Sequence, residues 1–452
     1  MLAKVEFEWE SESFTIAYIE QEDKEILFME SCSERAREKL AEEKQSLVER
    51  YAAFQSRGLN LNMSRGVPSK AQLDLSQDVL TCLTTPDDYI ADGADSRSYG
   101  MVDGLPCAKK LFGELLDVDP ECVIVGGNSS LNMMYDMVLR SLAFGVGGCE
   151  PWLKQGTVKF LCPVPGYDRH FAVCEQCGVE MIPVPLLADG PDMELVRELI
   201  RDSAVKGMWC VPKYSNPSGV TYSDDTVRAL AALKPAAADF RIYWDNAYCI
   251  HDIFGEDRLL NIMEEVKRYG NDNLVFEFAS TSKISFPGSG VACMAAGKDD
   301  CAYIKKLLAA QTICPDKTNQ LRHVRYFKDA GGLRARAKEH AALIRPKFEA
   351  VLSALEREVS GLDFVSWSKP NGGYFISLDV MEHTAARTIA LAQAAGVTLT
   401  PAGSTWPYHS EPADRNIRIA PTYPALKDIE TAAELLCVCV KLAALERIEQ
   451  GE

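Results

Sequence analysis

The 452-residue chain contains no apolar run long enough to cross a bilayer as a helix, so a helical membrane span is not expected. Basic residues are also short: 48 Lys and Arg stand against 65 Asp and Glu, a net charge of −17. Nucleic-acid and anionic-membrane surfaces need basic patches, so neither partner is expected, and a small anionic ligand would depend on local positive groups. Histidine is scarce, six in all and none at H-x-x-x-H spacing, which argues against a histidine-built metal centre. His251, in YCIHD, reads as a polar residue near a loop. One C-x-x-C occurs, Cys174 and Cys177, with no second pair at zinc-ribbon spacing. It lies inside a helical pattern, RHFAVCEQCG, and reads as packing rather than as metal or redox chemistry. The first residues, MLAKVEFEWESESF, are acidic and have no apolar core segment, so neither a signal nor a transit peptide is expected. No internal repeat and no low-complexity linker is visible.

What is present fits a large folded protein. The length predicts two domains, or one large and one small, and 47% hydrophobic residues suffice for a sizeable core. Fifteen cysteines scattered through runs such as CVIV, CMAA and LLCVCV read as reduced core residues of a cytoplasmic protein. Residues 1–32 alternate apolar and acidic residues, which suggests one or two edge strands or an attached arm. Residues 33–57 open at a Ser cap and run as a charged amphipathic helix, with Leu40, Leu47, Tyr51 and Phe54 on one stripe. From about 120, seven β-rich runs recur with helical segments mostly between them: CVIVGG, VKFLCP, MIPVPL, GMWCVP, RIYWDNA, LVFEFAS and GVACMA. Most are continuously apolar, as strands covered on both faces are, so the expected fold is α/β with a mostly parallel seven-stranded sheet and helices on both faces. A smaller α+β unit follows. The expected division is an N-terminal arm and helix joining the small domain (1–75), a large ligand-binding domain (76–325) and a C-terminal small domain (326–452).

In such sheets ligands sit beyond the carboxyl ends of the strands. After CVIV come Gly126-Gly127-Asn128-Ser129-Ser130 and a helix, a phosphate cradle or an ordinary helix cap. VKFLCP leads to Tyr167, which offers an aromatic face for a flat ring or simply ends a turn. After GMWCVP, Asn216 can donate to a ring hydroxyl, although Asn-Pro is also common turn chemistry. Asp245 closes RIYW; an apolar strand end tolerates a carboxylate only beside a cation, such as a protonated ring nitrogen, or as a helix cap. Lys283 stands between LVFEFAS and GVACMA, either as a loop lysine snorkelling to solvent or as a buried one that pairs with an acid or reacts, since burial would lower its pKa and make it a nucleophile toward a carbonyl. In this order, cradle, plate, hydroxyl donor, carboxylate and lysine match the needs of pyridoxal 5′-phosphate (PLP): an amine for a Schiff base, an anion opposite the pyridinium and a phosphate anchor.

At these residues the chain resembles the fold-type I PLP-dependent aminotransferases of class I/II. Tyr214-Ser-Asn-Pro-Ser-Gly219, Asp245-Asn-Ala-Tyr248 and Ser280-Thr-Ser-Lys283 resemble a divergent bacterial aspartate aminotransferase subgroup, over roughly residues 60 to 445. The resemblance implies that Lys283 forms the Schiff base and later moves the substrate's α-proton, while Asp245 keeps the ring nitrogen protonated. It implies that Asn216 and Tyr248 bond the ring oxygen, that Tyr167 stacks on the ring, and that Ser129, Ser130 and Ser280 hold the phosphate. Tyr99 matches a tyrosine that reaches the neighbouring subunit's phosphate, implying a homodimer with shared sites. Gly66 matches a glycine that closes over substrate, and Arg418, in NIRIAPTY, the arginine that grips the α-carboxylate. Pro370-Asn-Gly-Gly-Tyr-Phe375 matches a small-domain strand of the family.

One departure stands out: the stretch after Lys283, SFPGSGVA, lacks the arginine that usually binds phosphate, as the divergent subgroup does. Transamination of L-aspartate or glutamate with 2-oxoglutarate or oxaloacetate is the leading expectation. A distal carboxylate needs a second cation, and Lys317, Arg322 and Arg65 are candidates. Another PLP reaction, β-elimination or decarboxylation, is the alternative. A non-catalytic ligand sensor of a transcription regulator would carry a basic helix-turn-helix region, whereas residues 1–60 are acidic.

Overall fold

The computed structural model describes residues 22–450, with side chains from 39 onward. Its centre is an eight-stranded sheet. In chain order the strands are β1 (Val123–Val125), β2 (Lys159–Val164), β3 (Glu180–Leu187), β4 (Gly190–Pro191), β5 (Val205–Cys210), β6 (Arg241–Asp245), β7 (Val275–Ser280) and β8 (Ala292–Ala295). Their order across the sheet is β1-β8-β7-β6-β5-β2-β3-β4. The seven expected runs are all strands. The eighth, β4, is a two-residue edge piece pairing antiparallel with β3, too short and too rich in Gly and Pro to signal itself.

Pairing is parallel from β7 through β6, β5 and β2 to β3, and β8 is antiparallel to both its neighbours. Two reversals cancel, so β1 points the same way as the parallel set. The carboxyl ends of β1, β2, β5, β6 and β7 therefore share one edge, and that edge collects the loops bearing Ser129, Tyr167, Asn216, Asp245 and Lys283.

Alternation along each strand shows why these runs are apolar throughout. Val123, Leu161, Met208, Ile242, Val275 and Cys293 enter one core, while their neighbours Ile124, Phe160, Trp209, Tyr243, Phe276 and Met294 enter a second core on the opposite face. A strand with two buried faces has no position left for a solvated residue.

A third core gathers the chain's two ends. Leu47 and Phe54 of the N-terminal helix pack there with Phe348, Ile376, Ile417 and Leu436, and Leu40 and Tyr51 lie at its margin. The Tyr51 hydroxyl donates to the carbonyl of Leu391 at 2.8 Å. The stripe read from sequence is thus the face that docks. The helix begins earlier than Ser33, however, and spans Glu22–Gln55. Glu, Lys, Leu and Met in residues 22–32 favour helix strongly enough to override both the alternating pattern and the serine as a cap. The remainder of the expected N-terminal arm, residues 1–21, lies outside the described residues. A three-stranded antiparallel sheet (Ser366–Trp367, Ile376–Asp379, Asn416–Ile419) and the helices Ala330–Val359 and Leu426–Glu449 complete this part.

Candidate active site

Asp245 ends β6 and is 3% exposed. Its Oδ2 lies 3.0 Å from His170 Nε2, and its Oδ1 is buried without a hydrogen-bond partner. A buried carboxylate oxygen left bare is costly unless a donor arrives. His170 is held in turn by a parallel stack on Trp209 (4.4 Å between centroids, 11° between planes) and by the edge-on ring of Tyr167 at 4.9 Å.

Lys283 follows β7 in a short turn and is half-buried. Its Nζ stands 4.9 Å from the centre of the Tyr248 ring and 5.8 Å from that of Tyr374. Loss of water around the amine lowers its pKa, and the field of Asp245 opposes that shift. Burial raises the Tyr248 phenol, with the Tyr167 phenol and the Asp245 carboxylate adding to the effect. Lys283 thus lies near enough to Asp245 for the carboxylate's field to act on its amine, and aromatic rings border both groups.

Arg418, on the strand Asn416–Ile419, reaches the same site from the other core. Its Nη1 contacts Asp168 Oδ1 at 2.6 Å and Asn216 Oδ1 at 3.4 Å, and its Nε donates to Thr400 Oγ1 at 3.3 Å. The guanidinium lies 5.1 Å above the Phe375 ring. That ring explains Gly66: a Cβ at this position would stand 2.5 Å from Phe375 Cζ. Gly66→Ala is expected to displace the ring and the guanidinium above it, lowering kcat/KM roughly tenfold or more, chiefly through KM. Steady-state kinetics on the variant check this.

The segment after β1 caps a helix. Ser129 Oγ accepts from the backbone N–H of Asn132, and Ser130 opens the helix Ser130–Phe144. Ser280 Oγ donates to Ser282 Oγ at 3.1 Å, and Ser282 Oγ to the carbonyl of Asn128 at 3.0 Å, tying the ends of β1 and β7 together. Among the described residues no Lys or Arg bonds to the side chains of Ser129, Ser130 or Ser280, and the helix N-terminus places positive potential there.

Other expected residues lie apart. Tyr99 is 80% exposed, with its carbonyl bonded by Lys317 Nζ at 3.2 Å. Lys317 is buried in that contact, Arg322 is half-buried with a partnerless Nε, and Arg65 is exposed. Among the described residues none of the three cations bonds to a residue lining the Lys283–Arg418 site. His251 lies in the loop after β6, as its sequence reading expects, and is buried there edge-on to Tyr248 and Tyr374, with both ring nitrogens partnerless among the described residues. Cys174 accepts from Trp209 Nε1 at 3.2 Å in the second core. Sequence reasoning passed over His170, Asp168, Trp209 and Thr400, and named Phe375 only as part of a small-domain strand. His170 was findable, since it falls three residues after Tyr167 at a helix start and so shares its face; the others carry no local signal.

The profile of the family described as "Aspartate amino-transferase" matches residues 35–452. The chain belongs to that family. It is 47% identical over 403 residues to a putative aminotransferase of Mycolicibacterium smegmatis, covering 88% of this chain and 94% of the relative. It is 42% identical over 404 residues to an aspartate aminotransferase of Corynebacterium glutamicum, covering 89% and 94%. The crystal structure of an aspartate transaminase from C. glutamicum superposes with a TM-score of 0.88 at 41% identity, covering 91% of this chain and 97% of that one. This aminotransferase therefore has the fold-type I architecture, and aminotransferases of this fold generally use PLP.

Proposed function

We propose that the site holds PLP and transfers the amino group of L-aspartate to 2-oxoglutarate, giving oxaloacetate and L-glutamate. The observation that carries this reading is the buried Asp245 carboxylate, whose Oδ1 lacks a donor among the described residues, close enough to the Lys283 amine for its field to act there. A protonated pyridine nitrogen would supply that donor. PLP, when bound, contributes an electron sink for the pair released as the substrate's α-proton leaves. The remaining work falls to the chain's own side chains.

A desolvated Lys283 amine, neutral over more of the pH range than an exposed lysine, accepts the α-proton and returns it one carbon away. His170 keeps Asp245 oriented through the contact at Oδ2, leaving Oδ1 for the ring nitrogen. Asn216 and Tyr248 would bond the ring oxygen, and Tyr167 would cover one ring face. Ser129, Ser130, Ser280 and the helix N-terminus take the phosphate, replacing with hydroxyls and amides the arginine this chain lacks. Arg418 grips the substrate's α-carboxylate. Exposed Tyr99 supports a homodimer in which it crosses to the partner's phosphate.

The choice of aspartate is supported by the C. glutamicum relative's name, and the distal carboxylate is assigned to one of Lys317, Arg322 and Arg65. The purified protein is expected to be yellow and to form glutamate from aspartate and 2-oxoglutarate. Alanine in place of aspartate should react at least about tenfold less efficiently, since a missing charged contact costs more than a kcal/mol. Pyruvate and ammonia from a β-substituted donor, without glutamate, would instead indicate elimination, and carbon dioxide with alanine or β-alanine from aspartate would indicate decarboxylation.

A further inference from the structure

We propose that Asp168 is an internal competitor for the substrate's α-carboxylate, occupying Arg418 until a ligand displaces it. The inference rests on the reading above that Arg418 is the α-carboxylate clamp. Asp168 Oδ1 lies 2.6 Å from Arg418 Nη1, and among the described residues it is the anion paired with this guanidinium. The arginine side chain is 7% exposed and the aspartate 22%. A guanidinium that deep needs a counter-charge when no ligand is present. Asp168 supplies it from the rim, where solvent is at hand when the pair opens.

Orientation of Arg418 does not require Asp168. Thr400 Oγ1 fixes Nε, Asn216 Oδ1 approaches Nη1, and the Phe375 ring lies under the plane. What Asp168 alone adds is a full negative charge at the point where a carboxylate must arrive. The contact is single-pointed, one oxygen to one nitrogen, whereas an incoming carboxylate can engage two nitrogens of the fork. Exchange therefore favours the ligand geometrically while the displaced aspartate returns to water. Asp168 occupies the first turn of the helix Asp168–Cys177, whose N-terminus stabilises the anion once released. The same turn carries Tyr167 immediately before it and His170 two residues later. One short segment thus touches the carboxylate clamp and the residue that holds Asp245. The effect on the reaction is to keep carboxylate affinity moderate, which hastens product departure.

The test is calorimetric titration of the holoenzyme with succinate, a dicarboxylate that has no amine to react. Asp168→Asn keeps the size and one acceptor oxygen but removes the charge. It is expected to bind succinate at least about fivefold more tightly than wild type at low ionic strength, the gain shrinking as salt is added. Asp168→Ser, which also suits a helix start, should do the same, and thermal melts of both variants report folding. Unchanged or weaker binding in the folded variants overturns the proposal, because a purely orienting aspartate would give that result. Arg418→Ala separates the two levels. If it binds succinate like wild type, the clamp assignment fails and the competitor with it; if it loses binding while Asp168→Asn shows no gain, only the competitor fails.

Discussion

Lys283→Ala is expected to lower transamination by about 10⁴-fold or more and to abolish the absorbance change that an amino donor produces in the wild-type protein. Both roles proposed for this amine disappear together: the covalent anchor and the proton carrier. Because the two act as a unit, adding an exogenous amine should restore only a small part of the rate. A second measurement concerns stability without cofactor. Burial lowers the Lys283 pKa from its ordinary 10.5, with Asp245 pulling the other way. Between the folded and unfolded values the unfolded chain binds the extra proton, so stability rises with pH through that interval and is penalised below it. Lys283→Met, which fills similar space without charge, should therefore melt higher than the wild-type apoprotein at neutral pH. The difference should narrow as pH climbs toward 10.5. A lysine whose stem merely snorkels to solvent would show no such trend, and a constant difference across pH would sink the burial argument.

Much of this site was legible because the fold places chemistry at strand ends, and strand ends are marked in sequence by where an apolar run stops. Asp245, Lys283 and the glycine-serine segment after β1 each follow such a run. The sheet then brings them to one edge because β8 reverses twice against its neighbours. What could not be read is whatever depends on contact between distant segments. Phe375 and Gly66 are 309 positions apart in the chain, and the glycine is required only because that ring occupies its side-chain space. Arg418 meets Asp168 across 250 positions, a pairing that neither local pattern announces. The burial of His251 was not legible for a related reason: it depends on Tyr374, whose ring from a distant segment stands edge-on to the imidazole. The helix start at Glu22 was missed because a short alternating pattern is weak evidence against strong helix propensity.

Asp245→Asn separates the electrostatic role of the carboxylate from its place in the packing. The amide occupies the same volume at the end of β6 and can still bond His170 Nε2 in one ring tautomer, so the aromatic shelf of His170 on Trp209 should persist. What is lost is the negative charge facing the proposed pyridinium. Without it the ring nitrogen no longer holds its proton at neutral pH, and the sink for the α-carbon's electrons weakens. A fall in kcat of about 10²–10³-fold is expected, the range found when one preorganised electrostatic partner is removed. The Asp245 field also raises the Lys283 pKa in the wild type. Its loss should lower that pKa further, shifting the acid limb of the pH–rate profile downward while the maximum rate collapses. Observing the rate loss without the shift would mean that Asp245 and Lys283 are not electrostatically joined across the site. Retention of full rate would remove the carboxylate from the chemistry altogether. A control at His170 distinguishes support from reaction: His170→Gln keeps a donor to Oδ2 but not the stack on Trp209. It is expected to cost less than Asp245→Asn, because it loosens the carboxylate without discharging it.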